Sequence, residues 1–164
     1  MADDSTFSIE DLCARPEFSA TVADRIWRAW WREQGEALAT IAGLVANSLE
    51  AGRIPTTLVA LRGDAFLGTT SVITCDQNLR AHLTPWVAAV WVEPHARRMG
   101  VGGALVAAAA DFAFDSGADF VYLCALPAMR AFYEERGWSL LEENVGDAAL
   151  MVFKRANSRQ PQGS

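Results

Sequence analysis

The residues with chemistry within reach are Arg97-Arg98-Met99-Gly100-Val101-Gly102-Gly103. Glycines this close together let successive backbone N–H groups close on an anion with no Cβ in the way, and a helix that begins there adds its positive end. That is phosphate-binding chemistry. Two loop types can be set aside. The dinucleotide fingerprint G-x-G-x-x-G needs glycine where Leu105 stands and an acidic residue after the next strand, and neither is present. The nucleoside-triphosphate loop needs Gly-Lys-Ser/Thr, and the stretch has no lysine. What stands is Arg97-x-x-Gly100-x-Gly102.

Such a loop needs a strand before it and a helix after it. Residues 87–92 form an unbroken run rich in valine, bounded by Pro85 and Pro94, which suits a central strand buried on both faces. The helix is expected from Gly102 or Gly103 to Ser116, with Leu105, Ala109 and Phe112 on one face and Gly117 as its stop. Residues 120–124 read as the next buried strand, and a strand-helix-strand crossover makes it parallel to the central one.

The remaining elements follow from pattern. A short strand is expected near residues 7–9, then a helix opened by Pro16, with Val22, Ile26 and Trp30 at helical spacing until Gly35. A second helix is expected over residues 36–51, with Leu38, Ile41, Leu44, Val45 and Leu49 inward and Gly52 as its stop. Residues 56–62 and 65–75 read as strands joined by the Gly63-Asp64 turn, and residues 76–85 as a polar loop. A short helix is expected over residues 129–136, then strands over 140–143 and 148–154. The order is β-α-α-β-β-β-α-β-α-β-β in one domain over residues 1–155, with residues 156–164 a disordered polar tail.

The loop resembles motif A of the GCN5-related N-acetyltransferase (GNAT) family, R/Q-x-x-G-x-G/A. Phe132-Tyr133-Glu134-Glu135-Arg136-Gly137-Trp138 resembles that family's later F/L-Y-E-x-x-G-F/W segment. The resemblance runs from about Thr56 to Lys154. It implies an α/β fold with a mixed central sheet of about six to seven strands and about four helices. It also implies acetyl-CoA as cosubstrate, with a primary amine of a small molecule, peptide or protein N-terminus as acceptor. The backbone at Val90, Trp91 and Val92 would then contact the acetyl and pantetheine end, Arg97 to Gly103 would hold the pyrophosphate, and Tyr133 would protonate the leaving thiolate. The alternative from another class is an acyl-CoA-binding sensor or interaction module without catalysis; Tyr133 beside an intact glycine loop favours the enzyme.

The chain departs from the family pattern in three places. The family often has glycine where Arg98 stands and a basic residue at Met99, and the asparagine often found seven residues before the tyrosine is Leu126 here. The family's glutamate early on the central strand is also missing, since the stretch reads Thr84-Pro85-Trp86-Val87-Ala88-Ala89. No base is assigned on that strand. Asp76, His82, Glu142 and Glu143 could border the acceptor, and Glu93 reads as a surface residue; Trp27, Trp30 and Trp31 lie where the resemblance puts the acceptor wall, and the reading preferred for them is core aromatics. With no strand carboxylate, kcat/KM is expected to follow the acceptor's own pKa. One limb near about pH 6 to 7, shared by different acceptors, would instead mark a side-chain base.

Composition narrows the partners. A formal charge of −6 disfavours nucleic acid, whose binding needs a basic face, and suits a cationic acceptor. No apolar run approaches a membrane span and Met1-Ala2-Asp3-Asp4 lacks a basic start, so a cytoplasmic protein is expected, with a second copy in a homodimer as a further partner. Cys13, Cys75 and Cys124 lie far apart with no C-x-x-C, and with His82 and His95 isolated no metal set is expected.

Overall fold

A computed structural model of the chain describes residues 6–158. In chain order the elements are β1 (Ser8–Asp11), α1 (Ser19–Ile26), α2 (Leu38–Ala46), β2 (Thr56–Arg62), β3 (Ala65–Ile73), β4 (Trp86–Val92), α3 (Val101–Asp115), β5 (Phe120–Ala125), α4 (Arg130–Glu134), β6 (Ser139–Val145) and β7 (Leu150–Ala156). This is the expected order. The seven strands form one sheet, arranged β1-β2-β3-β4-β5-β7-β6. β4 and β5 pair in parallel, with Trp86 opposite Tyr122, as the crossover through α3 requires. No helix among the described residues is long and apolar enough to cross a membrane.

The chain divides into two compact units, one holding residues up to Ser71 with Ala89–Ala109, the other Val72–Ala88 with the residues from Ala110 onward. In the first, β1 pairs antiparallel with β2, Ser8 opposite Leu61 and Asp11 opposite Leu58. Val22, Ala23 and Ile26 of α1 and Ile41 and Val45 of α2 bury themselves with Leu12, Val59 and Leu61. Each of the valine, leucine and isoleucine side chains contributes roughly 1.5–3 kcal/mol through burial.

Helical spacing fails beyond Ile26. Residues Trp27–Trp31 wind as a π-helix, with Arg32 N–H bonded to the Trp27 carbonyl, and Glu36 N–H reaches the Trp31 carbonyl at 3.2 Å, both i to i+5. The added residue per turn rotates later side chains off the buried stripe. Trp30 and Trp31 are therefore 41% and 37% exposed, not core, while Trp27 stays half-buried and donates its indole N–H to the Glu36 carbonyl at 2.7 Å. Gly35, at φ 81°, ends the segment as expected. α2 is also shorter than its pattern: it buries Ile41 and Val45 but leaves Leu38 and Leu44 exposed.

One glycine in β3 governs how closely this unit packs. A Cβ at Gly68 would lie 2.6 Å from the Trp91 carbonyl oxygen, 3.1 Å from Leu105 Cδ1 and 3.3 Å from Val92 Cα. The end of β4 and the first turns of α3 come together over a bare backbone.

In the second unit β7 lies between β5 and β6 and pairs antiparallel with both, Leu123 opposite Phe153 and Leu140 opposite Phe153. Trp86, Val145 and Val152 form a buried cluster with Ile73, Leu83, Tyr122 and Cys124 against it. The Trp86 and Tyr122 rings sit 5.7 Å apart. β7 runs on to Ala156, which pairs with Phe120, and Asn157 donates from its backbone to the Asp119 carbonyl at 2.8 Å. The rest of the expected tail, residues 159–164, lies outside the described residues.

The close approach at Gly68 yields a prediction. Gly68→Ala should lower unfolding free energy by about 1–3 kcal/mol, the usual cost of overpacking, measured by urea titration. An unchanged midpoint would mean that Trp91 can move aside without cost.

Candidate functional site

The first unit carries the loop. Within β4, Ala89 has a φ of 53°, which places a residue with a side chain in the left-handed region. Such irregularities re-aim a strand and recur beside functional sites. Trp86, Val87 and Ala88 are buried, but Ala89, Val90, Trp91 and Val92 are only half-buried, so the expectation of a strand buried throughout holds for its first half alone. Glu93 N–H then bonds the Leu67 carbonyl at 2.8 Å, and Pro94–Ala96 make one 3₁₀ turn.

Arg97 folds back on the strand. Its Nε donates to the Val92 carbonyl at 3.0 Å and its guanidinium lies 4.9 Å from the centre of the Trp91 ring. The Trp91 indole nitrogen is buried with no hydrogen-bond partner. Arg98 is exposed at φ 65° and Gly100 is exposed at φ 83°, two left-handed residues that turn the chain into α3. Met99 is exposed, Val101 is buried, and Gly102 and Gly103 are half-buried in the first helical turn. The first returning bond of α3 runs from Ala104 N–H to the Gly100 carbonyl at 3.1 Å. The N–H groups of Val101, Gly102 and Gly103 precede it and have no carbonyl a turn earlier in the helix. They sit at the positive end of a 15-residue helix, a binding place for an anion.

The second unit carries Tyr133, which is 6% exposed on α4. Its ring meets Phe132 at 5.0 Å, Phe153 at 5.6 Å and Trp138 at 6.4 Å. Burial, then the neighbouring Cys124, push its pKa up to about 12. Tyr133 therefore keeps its proton near neutral pH, which suits a donor and excludes a base. Cys124 on β5 donates its S–H to Asp76 Oδ2 at 3.2 Å. Burial, then the Asp76 carboxylate, push the thiol up to about 12. The Asp76 residue is reached by solvent, yet protein crowds its carboxyl enough to raise its pKa, an effect the thiol bond opposes. This pair was hidden in the sequence, because Cys124 carried no motif and Asp76 was one polar residue among several.

The other candidate carboxylates are occupied. Glu93 is not a surface residue: its side chain is 13% exposed and accepts from Arg25 Nε at 2.5 Å. Glu142 accepts from Arg80 through both oxygens, Nε to Oε2 at 2.7 Å and Nη2 to Oε1, and this pairing holds its carboxyl below the usual range. Glu143 pairs with Arg130 at 3.4 Å. Among the described residues no group of His, Cys, Asp and Glu could hold a metal ion.

Known proteins match this arrangement. The model of the acetyltransferase (GNAT) family matches residues 17–138. Among solved structures, yncA from Salmonella typhimurium, described as a putative acetyltransferase with its cofactor acetyl-CoA, is 15% identical with TM-score 0.74, covering 94% of this chain and 95% of its own. An aminoglycoside 6'-N-acetyltransferase complexed with coenzyme A is 16% identical with TM-score 0.72, covering 94% of this chain and 99% of its own. An acyl-CoA N-acyltransferase from Pseudomonas aeruginosa is 20% identical with TM-score 0.64, covering 92% and 99%. A sequence comparison with curated proteins gives no match.

The left-handed Arg98 generates a prediction of its own. An L-residue in that region costs roughly 1–2 kcal/mol that glycine avoids, though glycine also loosens the unfolded chain. Arg98→Gly should leave stability unchanged or raise it by up to about 1 kcal/mol in thermal or urea unfolding. A clear loss would show that the Arg98 side chain holds the loop.

Proposed function

The chain belongs to the acetyltransferase (GNAT) family, and from that membership we propose that it moves an acetyl group from acetyl-CoA to a primary amine by direct attack. The observation that carries the coenzyme half of this reading is the start of α3, where Gly102 and Gly103 leave the first-turn N–H groups open beside a loop turned by two left-handed residues. A pyrophosphate supplies the acceptor oxygens these donors lack.

The chain's own groups divide the work. Val101, Gly102 and Gly103 hold the pyrophosphate by backbone, together with the loop residues Arg97 to Gly100 that shape the approach. Arg97 does so by fixing the Val92 carbonyl and the Trp91 ring, and so orders the strand end formed by Val90, Trp91 and Val92, to which the family resemblance gives the acetyl and pantetheine contacts. Tyr133 gives its proton to the departing thiolate. A phenol raised to about 12 is a weaker acid than a free thiol, whose pKa is about 8.5, so its donation helps only as the C–S bond breaks. Its contribution should be small. The net charge of −6 draws cationic amines toward the protein.

Two variants test this reading. Gly102→Glu sets a side chain and a like charge against the pyrophosphate, and titration calorimetry should show acetyl-CoA binding weakened at least about tenfold in a protein that still folds. Binding as tight as the parent's removes the loop from the assignment. Tyr133→Phe should lower kcat by about 100-fold or less with coenzyme affinity nearly unchanged, the low end of general-acid contributions. Equal kcat would make Tyr133 a packing residue. A panel of primary amines assayed for released CoA separates an enzyme from a binding module.

A further inference from the structure

We propose that Asp76 is the general base that takes a proton from the acceptor's ammonium group, and that Cys124 positions it. The proposal rests on the acetyl-transfer reading above and adds the residue on which the acceptor half depends.

The first support is the distribution of cations. Arg25 occupies Glu93, Arg80 occupies both oxygens of Glu142, and Arg130 reaches Glu143. A carboxylate already paired with a guanidinium is a weak base, because removing its charge would strand the cation. Asp76 has one neutral partner, the Cys124 thiol at 3.2 Å. Its crowded carboxylate lacks the counter-charge that a substrate ammonium would bring. The second support is placement within one unit: Cys124, which bonds the proposed base, pairs with Val152 on β7, next to Phe153, whose ring meets that of the proposed acid Tyr133 at 5.6 Å. Burial also lifts the Asp76 pKa toward neutrality, where a carboxylate accepts protons better.

Asp76's own segment also carries Cys75, Arg80 and His82, Cys124 of β5 bonds to Asp76, and Glu142 of β6 bonds to Arg80. Of these only Cys124 moves the Asp76 titration, and Glu142 is neutralised by Arg80. The protons balance as follows. Asp76 takes one proton from the ammonium and later returns it to solvent. The neutral amine attacks the acetyl carbonyl, a C–N bond forms and the C–S bond breaks, Tyr133 protonates the thiolate, and the second nitrogen proton restores the phenol. The products are an amide, CoA thiol and one released proton.

The test compares ethylamine with 2,2,2-trifluoroethylamine, a near-isostere that is neutral at neutral pH, using the full-length parent and Asp76→Asn, whose amide oxygen still accepts from Cys124. In the parent, kcat/KM for ethylamine should rise with pH along a limb that lies above the usual carboxylate range and well below ethylamine's own pKa, as Asp76 ionises, while trifluoroethylamine, which arrives neutral, should lack that limb. Asp76→Asn should bind acetyl-CoA as the parent does, yet lose at least about 100-fold in kcat/KM with ethylamine at neutral pH and less than about tenfold with trifluoroethylamine. Its remaining activity should follow each amine's own pKa. Cys124→Ala, which removes a bond that lowers the Asp76 pKa, should move the parent limb to higher pH. Equal losses with both amines, or no loss, overturn the assignment. If Asp76→Asn does not fold, the parent profile decides, and an ethylamine limb at ethylamine's own pKa overturns it too. A parent that binds acetyl-CoA but releases no CoA with any amine removes the acetyl-transfer reading itself, and Asp76 with it.

Discussion

The N–H groups in the first turn of α3 have no carbonyl partner within the helix, and most of the first unit is arranged to leave them open. Gly100 and Arg98 turn the chain with positive φ so that the helix begins at once. Gly68 lets the Trp91 carbonyl and Leu105 approach a bare backbone, and Arg97 ties its guanidinium to Val92 and Trp91. Glu93, directly after β4, is anchored to Arg25 on α1, so the strand end is held by charge as well as by its bond to Leu67. A donor set left open in this way is costly unless an anion or water fills it. Stability is given up where binding is wanted.

The second unit applies the opposite electrostatic arrangement. Burial raises the pKa of Asp76, Cys124 and Tyr133, with Arg136 opposing it only in part at Tyr133, so each tends to keep its proton. Elsewhere on the same unit the carboxylates are neutralised, Glu142 by Arg80 and Glu134 by Arg130 at 2.7 Å. Phosphate binding needs fixed donors, whereas acid–base chemistry needs groups whose protons can be exchanged, and the residues proposed for the two roles belong to different units of the chain.

What could be read in the sequence was whatever is encoded locally. The glycine loop, the valine-rich strand and the tyrosine segment each carry their signal within ten residues, and the order of elements followed from periodicity and turn residues. Trp30 and Trp31 misled because a 3.6-residue repeat assumes an α-helix, and the π-turn that displaces them has no mark in the residue types. Glu93 was misplaced because its partner Arg25 is 68 residues away. The bond joining Asp76 to Cys124 spans 48 residues and depends on β5 lying where the sheet puts it. Arg98 presented the reverse case. The family's preference for glycine there is a preference for φ above zero, and the structure meets it with a residue that must bear the strain.

The account stands or falls on the open end of α3. The most direct measurement is the ¹H–¹⁵N correlation spectrum of the full chain titrated with CoA, following the amides of Val101, Gly102 and Gly103. These amides should move downfield together and saturate with the binding isotherm, as donors do when they take up charged acceptors. If CoA saturates the protein while these three amides stay where they were, the pyrophosphate binds elsewhere and the central claim is wrong.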